Sequence, residues 1–283
     1  MPRIALRLAY DGSGYCGWQT QANRNSLQDE LEAAIADIAL EPVRVVCAGR
    51  TDTGVHALSQ LVHFDTQALR PLSAWVKGVN RVLVQRHEQR DGQGLGRMMV
   101  RDAQTTAEDF HARFSALARR YIYVIYNAND WHPHWVNRSG FYYRELDVDA
   151  MQKAADLLIG EHDFSAFRAA GCQAASPIRT LQSFSLKAHK PFILAHVQAD
   201  AFLHHMIRNM LGALLAIGSG DEPPERMPEW LHAADRRLLP PTFSPTGLYF
   251  AGAIYPEGAL GFSSLSGAEE ILPGLCMSSS LSV

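Results

Sequence analysis

The succession of two hydrophobic periods along the chain constrains its fold more than any other feature. Ile4, Leu6, Leu8 and Tyr10 alternate with Arg3, Arg7 and small alanines, the two-residue period of a strand over 3–10. Ser26 then stands as the cap of a helix whose apolar positions are Leu27, Leu31, Ala34, Ile35 and Ile38. Strands near 43–47 and 60–65 follow, then a helix over 71–83 opened by Pro71, then strands near 97–102 and 119–127. The order recurs: a strand near 139–146, a helix over 149–159 stopped by Gly160, strands near 180–188 and 192–200, a helix over 204–217 and a strand near 247–254. Each half reads as β-α-β-β-α-β, the split βαβ pattern of ferredoxin-like units. The expected class is α+β, with halves at 1–128 and 129–255 that could merge their sheets and leave a groove between them. Only the element order is duplicated; the residues show no repeat.

Two stretches lie outside this pattern. Residues 85–96, "QRHEQRDGQGLG", are polar and glycine-rich and read as a mobile loop. Residues 256–283 have weak periodicity and read as a loosely attached tail.

The chain has 283 residues, 47% apolar and 19% charged, an ordinary balance for a soluble globular protein. No apolar run reaches the roughly 18 residues of a membrane span, and the start has no signal-peptide layout. A cytoplasmic protein is expected. Cys16, Cys47, Cys172 and Cys276 form no C-x-x-C pair and read as free thiols. A net charge of −3 points to no polyanion, but residues 77–120 carry nine Lys and Arg against five Asp and Glu, a local net of +4. That field suits nucleic acid, although a solvated mixed face has the same composition.

Three stretches carry candidate chemistry. "AGRTDTGVHALSQ" (48–60) sets Arg50 and Asp52 in the connection between two strands, where functional residues concentrate. Asp52 before Thr53 and Gly54 also suits a plain turn, and from the loop alone both roles are open. An aspartic protease needs two such aspartates, and Asp-Thr-Gly occurs once. "ARRYIYVIYN" (118–127) puts Tyr121, Tyr123 and Ile125 on one strand face and Arg120 on the other. Arginine and tyrosine there could hold a phosphate and stack a base, or the tyrosines could simply pack. "FLHHMIRNMLGALLAIG" (202–218) reads as a helix with Met206, Ile207, Met210, Leu211, Leu214 and Leu215 as its buried stripe. Arg208 lies in its first turn, where the helix dipole disfavours a cation, which suggests a carboxylate or phosphate partner, although a solvated arginine fits the position equally. His204-His205 and His132-Pro133-His134 have no third ligand at recognisable spacing, so no metal is expected. "YDGSGYCGWQ" (10–19) is a glycine-rich turn without dinucleotide-binding spacing.

Together and in this order, "YDGSGYCGWQ", "SLQDELEAAI", "AGRTDTGVHALSQ", "FHARFSALARRYIYVIYN", "GEHDFSAF" and "DAFLHHMIRNMLGALLAIG" resemble the blocks of the tRNA pseudouridine synthase A family. The resemblance runs from residue 3 to about 254. It implies an enzyme that isomerises uridine to pseudouridine in the tRNA anticodon stem-loop, at positions 38, 39 and 40. It also implies a homodimer without cofactor, and two similar α+β halves sharing a mainly antiparallel sheet around a central RNA-binding cleft. By this resemblance Asp52 is the catalytic aspartate, Tyr121 packs on the target base, and Arg208 pairs with the aspartate. Arg50 flips or holds the nucleotide, and Arg120, His204 and His205 are further substrate-binding candidates. A non-catalytic RNA-binding protein is the alternative; it would need the basic and aromatic residues but not Asp52.

Overall fold

Ser26 caps the first helix in the computed structural model of the chain, accepting the Asp29 N–H on its Oγ at 3.1 Å. The structure describes residues 1–22, 25–92 and 96–262, without the side chains of 90 and 91. The chain is α+β and divides into two units, the first Met1–Leu117 with the segment from Tyr249, the second Ala118–Leu248.

In the first unit β1 (Arg3–Tyr10) lies antiparallel between β3 (His56–Asp65) and β4 (Met98–Thr106). The short β2 (Val46–Cys47) pairs with β3, and β10 (Leu248–Ile254) joins β3 in parallel. Helices α1 (Leu27–Ala39) and α2 (Val79–Asp91) pack on one another. Leu27, Leu31, Ala34 and Ile35 are fully buried, so the stripe read from the sequence is the buried face. A π-helical turn at Ala74–Gly78 buries Trp75 completely and leads into α2.

The stretch 85–96 corrects the sequence reading. It is not a loop up to residue 91: α2 runs through it and ends at Gly92, left-handed at φ 67, whose N–H reaches Glu88 O at 3.0 Å. The helix buries a polar residue where an apolar one would have shown its period. His87, 2% exposed, meets the Tyr15 hydroxyl at 2.8 Å and Glu30 at 3.0 Å. Residues 93–95 and 263–283, parts of the expected loop and tail, lie outside the described residues.

In the second unit β5 (Ala118–Asn127), β9 (Phe192–Ala199), β8 (Ile178–His189) and β7 (Gly160–Asp163) follow one another antiparallel. A three-residue β6 (Gly140–Tyr142) pairs with β5 in parallel, where the sequence suggested a strand near 139–146. Helix α3 (Val148–Asp156) is capped by Asp147 and packs on β8 and on α4 (Met206–Gly218). A Cβ on Gly218 would lie 2.6 Å from Met151 Sδ, so glycine is what lets α3 and α4 meet there. A further helix, α5 (Arg226–Ala233), buries Met227, Trp230 and Leu231. Pro223, Pro224 and Pro228 punctuate its sequence and mask its period.

Within β3 the polar residues His56, Gln60 and His63 are buried. His63 Nδ1 accepts the Ala112 N–H at 3.1 Å, so that nitrogen carries no proton. Burial first, then the charges of Arg3 and His111, pushes the His63 ring down to about 4. Its folded pKa lies below the unfolded one, so the unfolded chain takes up the proton first as pH falls. Stability is therefore expected to fall between pH 6.5 and about 4, by up to roughly 3 kcal/mol from this group, and then to level. Proton NMR titration of the His63 ring reads this directly; a midpoint near 6.5 would show the account to be wrong.

Candidate active site

Asp52 begins a tight turn. Its carbonyl accepts the Val55 N–H at 3.1 Å, and Gly54 takes φ 78, the left-handed position such a turn gives to glycine. The turn hangs between β2 and β3 on a buried polar triad. Thr51, 6% exposed, bonds the Tyr10 hydroxyl at 2.9 Å, and Gln60 Nε2 donates to Gly49 O at 2.7 Å and to the Tyr10 hydroxyl at 3.3 Å. These residues hold the main chain on both sides of Arg50. Arg50 is exposed and Asp52 half-buried, both on this one loop.

The glycine-rich turn after β1 packs against that loop. Trp18 N–H reaches Thr51 O at 3.0 Å. Gly17, at φ 83, has its Cα so near the loop that a Cβ would sit 2.8 Å from Thr51 O and 3.1 Å from the Asp52 carbonyl carbon. A Cβ on Gly12 would lie 2.0 Å from Val55 O. His56 Nδ1 lies 3.1 Å from Asp11 Oδ1 and 3.2 Å from Gly12 N, tying the turn to the start of β3. "YDGSGYCGWQ" is thus a backbone-to-backbone support for the aspartate loop. Burial of the Cys47 thiol beneath this loop pushes its pKa up to about 12, against the pull of Arg50 and Arg113.

In the second unit Tyr121 and Arg120 sit on opposite faces of β5. Tyr121 is 8% exposed, with Phe202 edge-on at 5.2 Å between ring centres. The Arg120 Nε is buried with no hydrogen-bond partner among the described residues, and burial lowers its pKa. Both faces of β5 are buried in its middle: Tyr121, Tyr123 and Ile125 on one, Ile122 and Val124 on the other. The His204 and His205 rings lie 4.0 Å apart between centres, tilted by 39°, and His205 is left-handed at φ 62 as it enters α4.

Arg208, in the first turn of α4, is half-buried. Its Nε donates to Phe243 O at 2.9 Å, while its own carbonyl accepts the Phe243 N–H at 3.1 Å. The 241–244 strap that supplies Phe243 is tightly seated. Thr242 Oγ1 donates to Asn209 Oδ1 at 2.6 Å, Asn209 Nδ2 donates to Phe167 O at 2.7 Å, and Tyr123 donates to Ser244 O at 2.8 Å. A Cβ on Gly212 would lie 2.2 Å from Pro241 O. Sequence reasoning missed Asn209 and the strap. The one signal available was a polar residue inside the apolar run of α4.

The chain has the signature of a known family. The family model described as tRNA pseudouridine synthase matches residues 8–115 and 154–256. The chain belongs to the tRNA pseudouridine synthase family. Curated relatives called tRNA pseudouridine synthase A are similar over nearly its whole length. The relative from Bordetella petrii is 48% identical over 258 residues, covering 90% of this chain and 92% of its own. That from Paraburkholderia phytofirmans is 48% identical over 257 residues, 91% of each chain. That from Polaromonas naphthalenivorans is 46% identical over 275 residues, 96% of this chain and all of its own. Arg50 and Asp52 fall in the first matched stretch and His204, His205 and Arg208 in the second; Arg120 and Tyr121 lie between the two.

The close approach of the glycine turn to the aspartate loop makes Gly12 the sharpest test of this geometry. Gly12→Ala places its Cβ against the Val55 carbonyl, which can yield only by moving the 52–55 turn. The substitution is expected to cost about 1–3 kcal/mol or more of stability, read by urea unfolding. Wild-type stability in this variant would mean that the two loops are not held as described.

Proposed function

We propose that this chain isomerises uridine to pseudouridine in the anticodon stem-loop of tRNA, at positions 38, 39 and 40, with Asp52 as its catalytic carboxylate. The chain is an isomerase of tRNA uridine; the family match over both stretches and relatives at 46–48% identity carry that reading, and they lend no support to a non-catalytic RNA binder. The stem-loop target, the roles of the residues, a homodimer and a cytoplasmic location rest on the resemblance of the sequence blocks. No helix among the described residues is long and apolar enough to cross a membrane.

The chemistry fits the residue types. Pseudouridine forms when the C1′–N1 bond of uridine breaks, the uracil turns, C5 joins C1′ and loses its proton, and N1 takes up a proton. No electrons and no phosphate are exchanged. Bond breaking builds positive charge on the sugar, as in glycoside hydrolysis, and a carboxylate beside C1′ stabilises that charge or attacks as a nucleophile. In this reading Asp52 is that carboxylate, held in place by a turn whose backbone is fixed from two sides. The target base must leave its stack. Tyr121 receives it against its ring, Arg50 holds the displaced nucleotide or its phosphate, and Arg208 supplies positive charge from a fixed rotamer. Arg120, His204 and His205 contribute to substrate binding.

Asp52→Asn keeps size and removes charge. It is expected to abolish pseudouridine formation under single-turnover conditions while tRNA affinity stays within about threefold of wild type. Near-normal turnover in that variant would take Asp52 out of the chemistry. Loss of both turnover and binding would make it a folding or binding residue instead.

A further inference from the structure

The segment 110–117 in the first unit is held firmly, yet it presents an aromatic ring to solvent. Arg3 donates to the carbonyls of Glu108 at 2.5 Å and Phe110 at 2.7 Å. His63 accepts the Ala112 N–H, Tyr255 donates to Ala112 O at 2.6 Å, and the Leu117 N–H reaches Ile254 O at 2.8 Å. Inside the segment, the His111 Nδ1 accepts the N–H groups of Arg113 at 3.2 Å and Phe114 at 3.1 Å, and Ser115 closes back onto His111 O at 2.9 Å. Phe114 is nevertheless 76% exposed and Leu117 58%. The His111 ring stacks on Phe114 at 4.4 Å and 29°, and the Arg113 guanidinium carbon lies 5.6 Å from the Phe114 ring centre. A backbone fixed from several directions presents this ring in one place, and the ring is grouped with His111 and Arg113 rather than standing alone.

Two features decide the kind of partner. The ring is flanked by an exposed arginine and by the His111 ring, which pairs a stacking plane with a phosphate ligand. The segment also lies on β3 beside β2, the strand that leads into the aspartate loop: His63 accepts the Ala112 N–H, and Val46 of β2 pairs with His63. We propose that Arg113 and Phe114 form an RNA-contact surface in which the Phe114 ring stacks on an unpaired base of the tRNA substrate and Arg113 meets a neighbouring phosphate. This rests on the tRNA-modifying reading above and adds to it a contact outside the residues assigned there.

The test measures affinity separately from chemistry. The Kd of an unmodified tRNA transcript is determined by filter binding for wild type, Phe114→Ala, Phe114→Trp and Arg113→Gln at several salt concentrations. Loss of one stacked base predicts that Phe114→Ala raises Kd roughly 5- to 150-fold, while Phe114→Trp stays within about twofold of wild type. Arg113→Gln is expected to weaken binding and to reduce the slope of log K against log salt by about one. Should Phe114→Ala fold poorly, the Arg113→Gln slope decides alone. Wild-type Kd in Phe114→Ala with an unchanged salt slope in Arg113→Gln overturns the proposal. So does a Phe114→Ala protein whose mass by light scattering halves while tRNA affinity per protomer is kept, since the ring would then face a second copy of this chain. A wild-type protein that shows these binding effects but makes no pseudouridine would overturn the catalytic reading and leave the surface standing.

Discussion

The first unit depends on one steric fact: main chain from two distant loops approaches closer than a side chain would allow. Gly12 and Gly17 stand where a Cβ would fall 2.0 Å from Val55 O and 2.8 Å from Thr51 O. Those carbonyls flank Asp52. With both glycines in place, the loop after β1 acts as a backbone brace against the 51–55 turn, and the Trp18 N–H can satisfy Thr51 O. The turn is then over-determined, by the brace on one side and by the Tyr10, Thr51 and Gln60 hydroxyl and amide groups on the other. Asp52 therefore stands on a turn fixed through its backbone, which holds position better than one fixed through long side chains.

The second unit reaches a similar end by a different device. Arg208 rides on α4, a helix buried nearly all round, and its Nε is held by the Phe243 carbonyl. The strap bearing that carbonyl is tied to the same helix through Thr242 and Asn209 and by the close approach at Gly212. Asn209 is the residue after Arg208, so the strap is bonded to two adjacent positions of the helix.

Much of this was readable in advance. The period-2 and period-3.6 patterns located β1, α1, β5, β8, β9 and α4 to within a few residues, because each of those elements buries a regular apolar face. Failures came where burial is polar. Helix α2 extends through "QRHEQRD" because His87 is sequestered by Tyr15 and Glu30, and no hydrophobic scale counts a buried histidine as core. Strand β3 begins at His56 rather than near 60 for the same reason, since His56 and Gln60 point inward. The blocks that carry Arg50, Asp52, His204, His205 and Arg208 were legible as family blocks, and the family model matches both stretches. Their supports were not: the Gly12 and Gly17 contacts and the Phe243 strap join positions far apart in the chain, and no local pattern marks such an approach.

Mapping pseudouridine in an unmodified tRNA transcript after incubation with the purified chain, by carbodiimide adduct formation and primer extension, tests the central claim most directly. The account predicts new pseudouridine at anticodon stem-loop uridines 38, 39 or 40, with no added cofactor. A transcript that is bound but returned with every uridine unchanged, or modified only outside that stem-loop, would contradict it.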